Sequence, residues 1–145
     1  MKPIYVILDN LITTEDSWES HFASILQGYV EAKKITDYEI VEVFDLADIK
    51  AKFESKEMQS GTKFIFPNAW TSATTYIKHW SEVHDIPVET IGLWSRGCFI
   101  NEDEEFRPVG NRDWRKVFER ASFRCLDESY FVSDYFKEQF RIYVS

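Results

Sequence analysis

The residues best suited to chemistry stand directly after short apolar runs of the sequence. Asp9 follows the first run and is our candidate catalytic residue, because small α/β enzymes use carboxylates at strand ends for chemistry. Asp45 follows the second run in the same way. The candidate binding residues carry amide, hydroxyl, guanidinium or indole groups that suit a polar ligand, and they are Asn10, Asn68, Trp70, Ser95, Arg96 and Ser133. Since Asp, Asn and Ser also cap helices that follow strands, most of these residues have a structural alternative.

Arg96 is the candidate that helix capping does not explain. It lies in the segment Ser95-Arg96-Gly97-Cys98, where Gly97 lets the backbone approach a ligand closely. A guanidinium in this position can bind a phosphate or a carboxylate through two parallel hydrogen bonds. The alternative is an ion pair with the acidic run over residues 102–105, and the sequence favours neither interpretation.

Several familiar catalytic motifs are absent from the sequence. The turn after the first apolar run contains no glycine, which argues against a dinucleotide-binding fingerprint and a P-loop. The sequence also has no G-x-S-x-G nucleophile elbow. Its three histidines and two cysteines, Cys98 and Cys125, show no metal-ligand spacing, so we expect neither a metal site nor a cofactor.

Five strands, each followed by a helix, are predicted to position these residues. Runs of β-branched and aromatic residues predict strands over residues 3–9, 38–44, 63–66, 88–94 and 129–132. Apolar residues spaced three and four apart predict the helices. Strands and helices that alternate at this length imply parallel pairing. The sequence therefore predicts one α/β domain over residues 1–145, with a three-layer, doubly wound, Rossmann-like sheet of five strands.

The helical spacing also predicts which side chains face the core. The inward residues are Trp18, Phe22, Ile25, Leu26, Tyr29 and Val30 on the first helix, Tyr76, Ile77, Trp80 and Val83 on the third, and Trp114, Val117, Phe118 and Ala121 on the fourth. A long loop is predicted between the fourth strand and the fourth helix. The fifth helix is predicted to start at Asp134 and to reach Phe140, and the sequence leaves the apolar residues 142–144 unassigned.

The composition is that of a compact acidic protein. Twelve Phe, seven Tyr and five Trp among 145 residues can fill a core without metal or disulfide cross-links. The net charge of −8 is unevenly distributed, since residues 1–106 hold 9 Lys/Arg against 19 Asp/Glu and residues 107–145 hold 8 against 6. Such a chain is a poor general ligand for nucleic acid or for an anionic membrane. The first apolar run is too short for a signal peptide, so a cytoplasmic location is expected.

Three segments resemble the amino-terminal, acceptor-side half of GT-B glycosyltransferases. They are residues 91–99 (IGLWSRGCF), residues 112–120 (RDWRKVFER) and residues 130–140 (YFVSDYFKEQF). The resemblance implies a Rossmann-like domain whose strand ends line a cleft for acceptor and donor. It also implies a second donor-binding domain or protein that holds the nucleotide-sugar. The cleft residues would be Asp9, Asn10, Asn68, Ser95, Arg96 and Ser133.

Three functions follow as hypotheses, in order of preference. The first is a glycosyltransferase-like domain that binds an acceptor and part of a nucleotide-sugar at the strand ends. The alternative is a non-enzymatic acidic module that binds a partner protein through charge. The third is a small N-glycosidase or deoxyribosyltransferase-like enzyme that processes a nucleoside or nucleotide, with Asp9 or Asp45 as its carboxylate.

Overall fold

The computed structural model describes residues 3–9, 23–43, 47–48, 50–51, 60–67, 72–94, 100–101, 107–108 and 120–144. Its main sheet has five strands, all parallel: β1 (Ile4–Asp9), β2 (Glu39–Val43), β3 (Lys63–Phe66), β4 (Glu89–Trp94) and β7 (Glu128–Phe131). A separate antiparallel pair consists of β5 (Ile100–Asn101) and β6 (Arg107–Pro108). The predicted α/β class with a parallel five-stranded sheet is confirmed.

Three helices have defined bounds, namely α1 (Ala23–Ala32), α2 (Ser72–Val83) and α3 (Asp134–Val144). Residues 47–48, 50–51 and 120–125 are also helical. The apolar residues 142–144, which the sequence left unassigned, continue α3. Helices therefore alternate with the parallel strands along the chain, as the hydrophobic periodicity predicted.

The strands are ordered β2-β1-β3-β4-β7 across the sheet. The chain moves from β1 outward to β2, and then returns across β1 to add β3, β4 and β7 on the other side. In this doubly wound order the direction reverses between β1 and β3. One strand lies beyond β1, whereas the dinucleotide-binding order 3-2-1-4-5-6 places two strands there.

Each face of the sheet buries its own hydrophobic core because side chains alternate along a strand. On one face α1 packs its buried residues against the centre of the sheet; this core contains Ile25, Leu26, Tyr29, Val30, Val6, Ile65, Ile91 and Leu93. On the other face α2 and α3 pack against Ile7, Val41, Val43, Phe64, Phe66 and Trp94. The helices on both faces give the predicted three layers.

A cluster of aromatic rings joins α3 to the ends of β4 and β7. Trp94 and Phe131 are the last residues of their strands, and the ring of Phe140 lies 4.5 Å from that of Trp94 and 5.6 Å from that of Phe131. Phe123 and Phe136 complete the cluster. We call these five residues the aromatic cluster. Large apolar area buried in one place fixes α3 behind the carboxyl ends of the two strands.

Two inward predictions were wrong, and the predicted long loop contains a strand pair. Val83 is 63% exposed and Ala121 is also exposed, whereas Thr74 and Ser122 are fully buried. The buried stripe of α2 includes small polar residues that an apolar pattern does not count. Ser81 can be buried there because its hydroxyl donates to the Lys78 carbonyl at 2.8 Å. Strands β5 and β6 lie within the predicted loop, with two residues in each.

Candidate functional site

Asp9 is the last residue of β1, at the carboxyl end of the sheet. Its backbone pairs with Val43, the last residue of β2. A run of β-branched and aromatic residues forms β1, and the strand ends where the polar residue begins. The structure therefore places the candidate catalytic residue at the end of the sheet where open α/β sheets bind ligands.

The carboxyl end of the sheet has a notch above β3. The last pair between β1 and β3 is Val6 with Ile65, so β1 runs two residues further than β3 does. On the other side Phe66 pairs with Gly92, and β4 continues for two more residues to Trp94. Two residues of strand rise about 7 Å, and two strand spacings measure about 10 Å. The backbones of β1 and β4 therefore lie about 10 Å apart on either side of the end of β3, and we call this position the notch.

The helices that follow β1 and β3 pack on opposite faces of the sheet. The segment after β1 leads to α1 on one face of the sheet, and the segment after β3 leads to α2 on the opposite face. In open α/β sheets, ligands bind at the point where the strand order reverses in this way. The notch and this reversal coincide at β1 and β3.

Five of the predicted binding residues, Asn10, Asn68, Trp70, Ser95 and Arg96, lie outside the described residues. In the sequence, they follow the three strands that bound the notch: Asn10 follows β1, Asn68 and Trp70 follow β3, and Ser95 and Arg96 follow β4. Their role as ligand-binding residues stays a prediction. Because β1, β3 and β4 are neighbours in the sheet, these five residues follow adjacent strands.

Ser133 lies beside the outer strand β7 rather than beside the notch. Its hydroxyl oxygen accepts the Phe136 N–H at 3.1 Å, and its carbonyl accepts the Lys137 N–H at 3.0 Å. These contacts are those of a helix N-cap, which was the structural alternative for this residue. The cap uses the oxygen as an acceptor and leaves the hydroxyl proton able to donate.

The β4 wall of the notch is held by two contacts at its last residue. The Trp94 indole N–H donates to the Ser129 hydroxyl at 3.0 Å, and the Trp94 carbonyl accepts the Val132 N–H at 3.1 Å. The Trp94 ring is buried in the aromatic cluster. These two hydrogen bonds join the end of β4 to β7 and the residue that follows it.

The amino end of the sheet holds a hydrogen-bond network that no sequence pattern indicated. The Asp127 carboxylate accepts the Thr90 N–H at 2.9 Å, the Thr90 hydroxyl at 3.0 Å and the Lys78 ammonium at 3.0 Å. Burial raises the pKa of the Asp127 carboxyl, but these hydrogen bonds together lower that pKa below its usual value. Its partners lie 37 and 49 residues away along the chain. This network ties β4, β7 and α2 together.

A second group of paired side chains lies at the same end. The Tyr29 hydroxyl donates to the Glu128 carboxylate at 3.4 Å, and the Lys33 ammonium lies 3.3 Å from the other oxygen of that carboxylate. Burial and the neighbouring carboxylates raise the pKa of Tyr29 above its usual value, so the phenol stays a donor. These contacts connect α1 to the start of β7 and have a structural role.

The described residues contain no group of three His, Cys, Asp or Glu side chains that could hold a metal ion. Burial raises the pKa of the Cys125 thiol, although Lys78 partly opposes that rise. A thiol with a raised pKa is a weak nucleophile at neutral pH. Cys98, the cysteine next to Arg96 in the sequence, lies outside the described residues.

Neither a family model, nor a curated protein, nor a solved structure matches the chain. Among the described helices, none is long and apolar enough to cross a membrane. The Rossmann-like α/β arrangement is thus established by the strand order and the two packed faces alone.

Proposed function

We propose that this chain is a glycosyltransferase-like domain that binds an acceptor and part of a nucleotide-sugar in the notch. The observation that supports the proposal is the notch itself, which lies where the strand order reverses and has Asp9 at the end of one wall. The resemblance of residues 91–99 and 130–140 to acceptor-side domains supports sugar transfer as the reaction class.

Asp9 is the general base in the proposed reaction. It takes the proton from an acceptor hydroxyl as that oxygen attacks the anomeric carbon and the nucleotide departs with its electron pair. A positioned base of this kind contributes about 100- to 10,000-fold in rate. A second donor-binding domain or protein supplies the remaining donor contacts.

The binding residues have distinct roles in this proposal. Asn10 and Asn68 hydrogen-bond to sugar hydroxyls, and the Trp70 ring stacks on an apolar sugar face. Ser95 and Arg96 bind donor phosphate oxygens, where a guanidinium can form two parallel hydrogen bonds. Ser133, which caps α3 beside β7, donates its hydroxyl proton to a ligand that extends from the notch past the end of β4.

Ligand titration tests this proposal on the isolated chain. A panel of nucleotide-sugars and nucleoside diphosphates is added to isotope-labelled protein, and amide shifts are followed by NMR. We expect shifts at the ends of β1, β3 and β4, and we expect weaker binding in Arg96→Ala with little loss of thermal stability. The matched controls are Asp9→Asn, which removes the base, and Asp45→Asn, which changes a carboxylate that follows β2 in the sequence.

The catalytic assignment is tested by turnover once a donor-binding polypeptide is supplied. Asp9→Asn is expected to reduce kcat by about 100-fold or more, whereas Asp45→Asn leaves kcat unchanged. An equal loss in both variants would contradict the role of Asp9. The absence of any shift at the notch across the whole panel would contradict the binding proposal.

A second candidate is a small N-glycosidase or deoxyribosyltransferase-like enzyme. It is favoured by the fact that strands of this one chain form both walls of the notch. Asp9 would then attack or stabilise the anomeric carbon of a nucleoside. In that case the isolated chain hydrolyses nucleosides or exchanges their bases, and Asp9→Asn loses this activity. A chain that binds nucleotide-sugars but leaves nucleosides intact favours the sugar-transfer proposal.

A further inference from the structure

Two buried tryptophan side chains differ in the hydrogen bonding of their indole N–H groups. Trp94, at the end of β4, is 5% exposed and donates its N–H to the Ser129 hydroxyl at 3.0 Å. Trp80, on α2, is 9% exposed, and among the described residues its N–H has no hydrogen-bond partner. Because the fold keeps one buried indole N–H without a partner, burial by itself does not account for the partner of Trp94.

The rings around Trp94 supply contact area but no polar partner. The centroid of its ring lies 4.5 Å from that of Phe140, 6.1 Å from that of Phe123 and 6.4 Å from that of Phe131. Phenylalanine rings offer no acceptor to an indole N–H beyond their weakly polar faces. The preference for the orientation that directs this N–H toward β7 therefore depends on the Ser129 hydroxyl, since a buried donor is costly to leave unpaired.

The register of the sheet brings this hydroxyl within reach of the Trp94 ring. Trp94 pairs with Phe131 on β7, and Ser129 lies two residues before Phe131. Residues two apart along a strand lie on the same face, so Ser129 and Trp94 form a diagonal cross-strand pair that an aromatic side chain can span. The β4 residue directly opposite Ser129 is Gly92, which places no side chain between the two.

Trp94 is the residue at which β4 passes into the segment predicted to bind phosphate. Its carbonyl accepts the Val132 N–H at 3.1 Å, so its backbone as well as its indole is hydrogen-bonded to the β7 side. Ser95 and Arg96 follow it directly in the sequence. Because the rotamer of a side chain depends on its backbone angles, a contact that orients the indole also restrains the direction in which the chain leaves β4.

We propose that Ser129 is a positioning residue for the ligand of the notch and that it acts through Trp94. By orienting the indole, it sets the direction in which Ser95 and Arg96 leave β4 to meet the diphosphate of a donor. The identity of this ligand rests on the proposed function, whereas the action of Ser129 on the end of β4 can be observed in the ligand-free protein. The role requires no contact between Ser129 and the ligand.

Ser129→Ala and Ser129→Thr test this role in the ligand-free chain by NMR. Alanine removes the acceptor, whereas threonine keeps a hydroxyl and suits a strand. We expect Ser129→Ala to move the Trp94 indole resonance and the Ser95 and Arg96 amide resonances, and Ser129→Thr to leave them near their wild-type positions. The matched control is Thr90→Val, which removes a hydroxyl hydrogen bond at the amino end of the same strand. It should destabilise the chain without moving these resonances.

A double-mutant cycle with Trp94→Phe tests whether Ser129 acts through the indole. Phenylalanine keeps a ring in the aromatic cluster and removes the N–H, so Ser129→Ala should have no further effect on the Arg96 amide in this background. This cycle decides the question even if Ser129→Thr does not fold. Additive effects of the two changes overturn the proposal. It is also overturned if Ser129→Ala leaves the Ser95 and Arg96 amides as in wild type, or if Thr90→Val moves them equally.

Titration with inorganic pyrophosphate distinguishes a failure of this proposal from a failure of the proposed function. The loss of one hydrogen bond of ordinary net strength lowers the population of the binding-competent orientation. The Kd for pyrophosphate should therefore rise about 2- to 10-fold in Ser129→Ala and stay at the wild-type value in Ser129→Thr. A wild-type Kd in Ser129→Ala overturns the positioning role. A wild-type chain that binds no pyrophosphate contradicts phosphate binding at the notch, and the amide comparison then decides whether Ser129 positions the end of β4.

Discussion

Polar residues lie at both ends of the parallel sheet. At the amino end, the carboxylates of Asp127 and Glu128 are held by Thr90, Lys78 and Lys33. At the carboxyl end, Asp9 closes β1 beside a notch formed by unequal strand lengths. The polar side chains at the amino end join elements of the fold, whereas at the carboxyl end β1 and β4 extend two residues beyond β3.

This difference follows from how parallel sheets are built. The chain enters a strand at the amino end of the sheet, after a helix. Polar side chains at that end connect segments that are distant in the sequence. At the carboxyl end, β1 leads to a helix on one face and β3 to a helix on the other, which is the arrangement at which open α/β sheets bind ligands. Substitutions at the amino end and in the supporting cores should therefore change stability, and substitutions at the notch should change function.

The largest expected effect on stability comes from the aromatic cluster. Phe140 is buried against Trp94, Phe123 and Phe131, and Phe140→Ala leaves a cavity among these rings. We expect the free energy of unfolding to fall by about 3–5 kcal/mol. Urea denaturation measures the loss, with the exposed Lys137→Ala on the same helix as a control. Similar losses in the two variants would show that the cluster does not anchor α3.

The next largest effect is expected at the amino end. Asp127→Ala removes the acceptor for the Thr90 N–H and hydroxyl and for Lys78, and it leaves a buried Thr90 donor without that partner. The expected loss is about 1–3 kcal/mol by the same denaturation measurement. Ala at the exposed Asp37 is the control and should change stability little. Ligand binding at the notch should be the same in both variants, and a loss specific to Asp127→Ala would show that the two ends are coupled.

The effect of Asp127 should also depend on pH. Because its pKa is lower in the folded state, its stabilisation is complete above the unfolded-state pKa of about 4 and is lost as the pH falls through the folded-state value. The stability difference between wild type and Asp127→Ala should thus be constant from neutral pH to about pH 5, and should shrink below about pH 4. A difference that grows on acidification would contradict the lowered pKa.

The smallest effect is a gain in stability at the ends of α1 and α2. Lys34 and Asp85 have φ values of 57° and 52°, and each sits in a turn closed by a bond from the next residue, Ile35 to Val30 and Ile86 to Ser81. Glycine adopts this conformation without strain. Asp85→Gly should stabilise by about 0.5–1 kcal/mol.

Lys34→Gly is the matched comparison for this gain. It should stabilise less, because it removes a cation from the negative end of a helix dipole whereas Asp85→Gly removes an anion. Thermal denaturation distinguishes the two, and a larger gain for Lys34→Gly would contradict the dipole explanation. Neither change should alter ligand binding at the notch.

Local sequence patterns predicted the buried side of a helix correctly where the buried residues are apolar. Ile25, Leu26, Tyr29 and Val30 are all buried on α1 as their spacing indicated. Val83 was wrongly predicted because the buried stripe of α2 is completed by Thr74 and Ser81. Small hydroxyl side chains can be buried when they bond to the helix backbone, and hydrophobic periodicity does not detect them.

The long-range contacts could not be predicted from local patterns. In the sequence, Asp127 is a polar residue between a predicted helix and a predicted strand. Its hydrogen-bond partner Thr90 comes close to it only when β4 and β7 pair. Ser133 was predicted both as a binding residue and as a cap, and the observed hydrogen bond is that of the cap. The choice between such alternatives depends on where the next helix begins, which packing decides.

The sequence by itself determined the α/β class, the five parallel strands and the position of Asp9 at a strand end. Those features depend on the hydrophobic periodicity and on the polar residue that ends each run, both of which are local. Only the tertiary structure decided that β3 lies between β1 and β4 and ends two residues short of both. Strand order and register are set by the packing of whole helices on the two faces. The notch exists because three separate segments meet there, and no one of them encodes it alone.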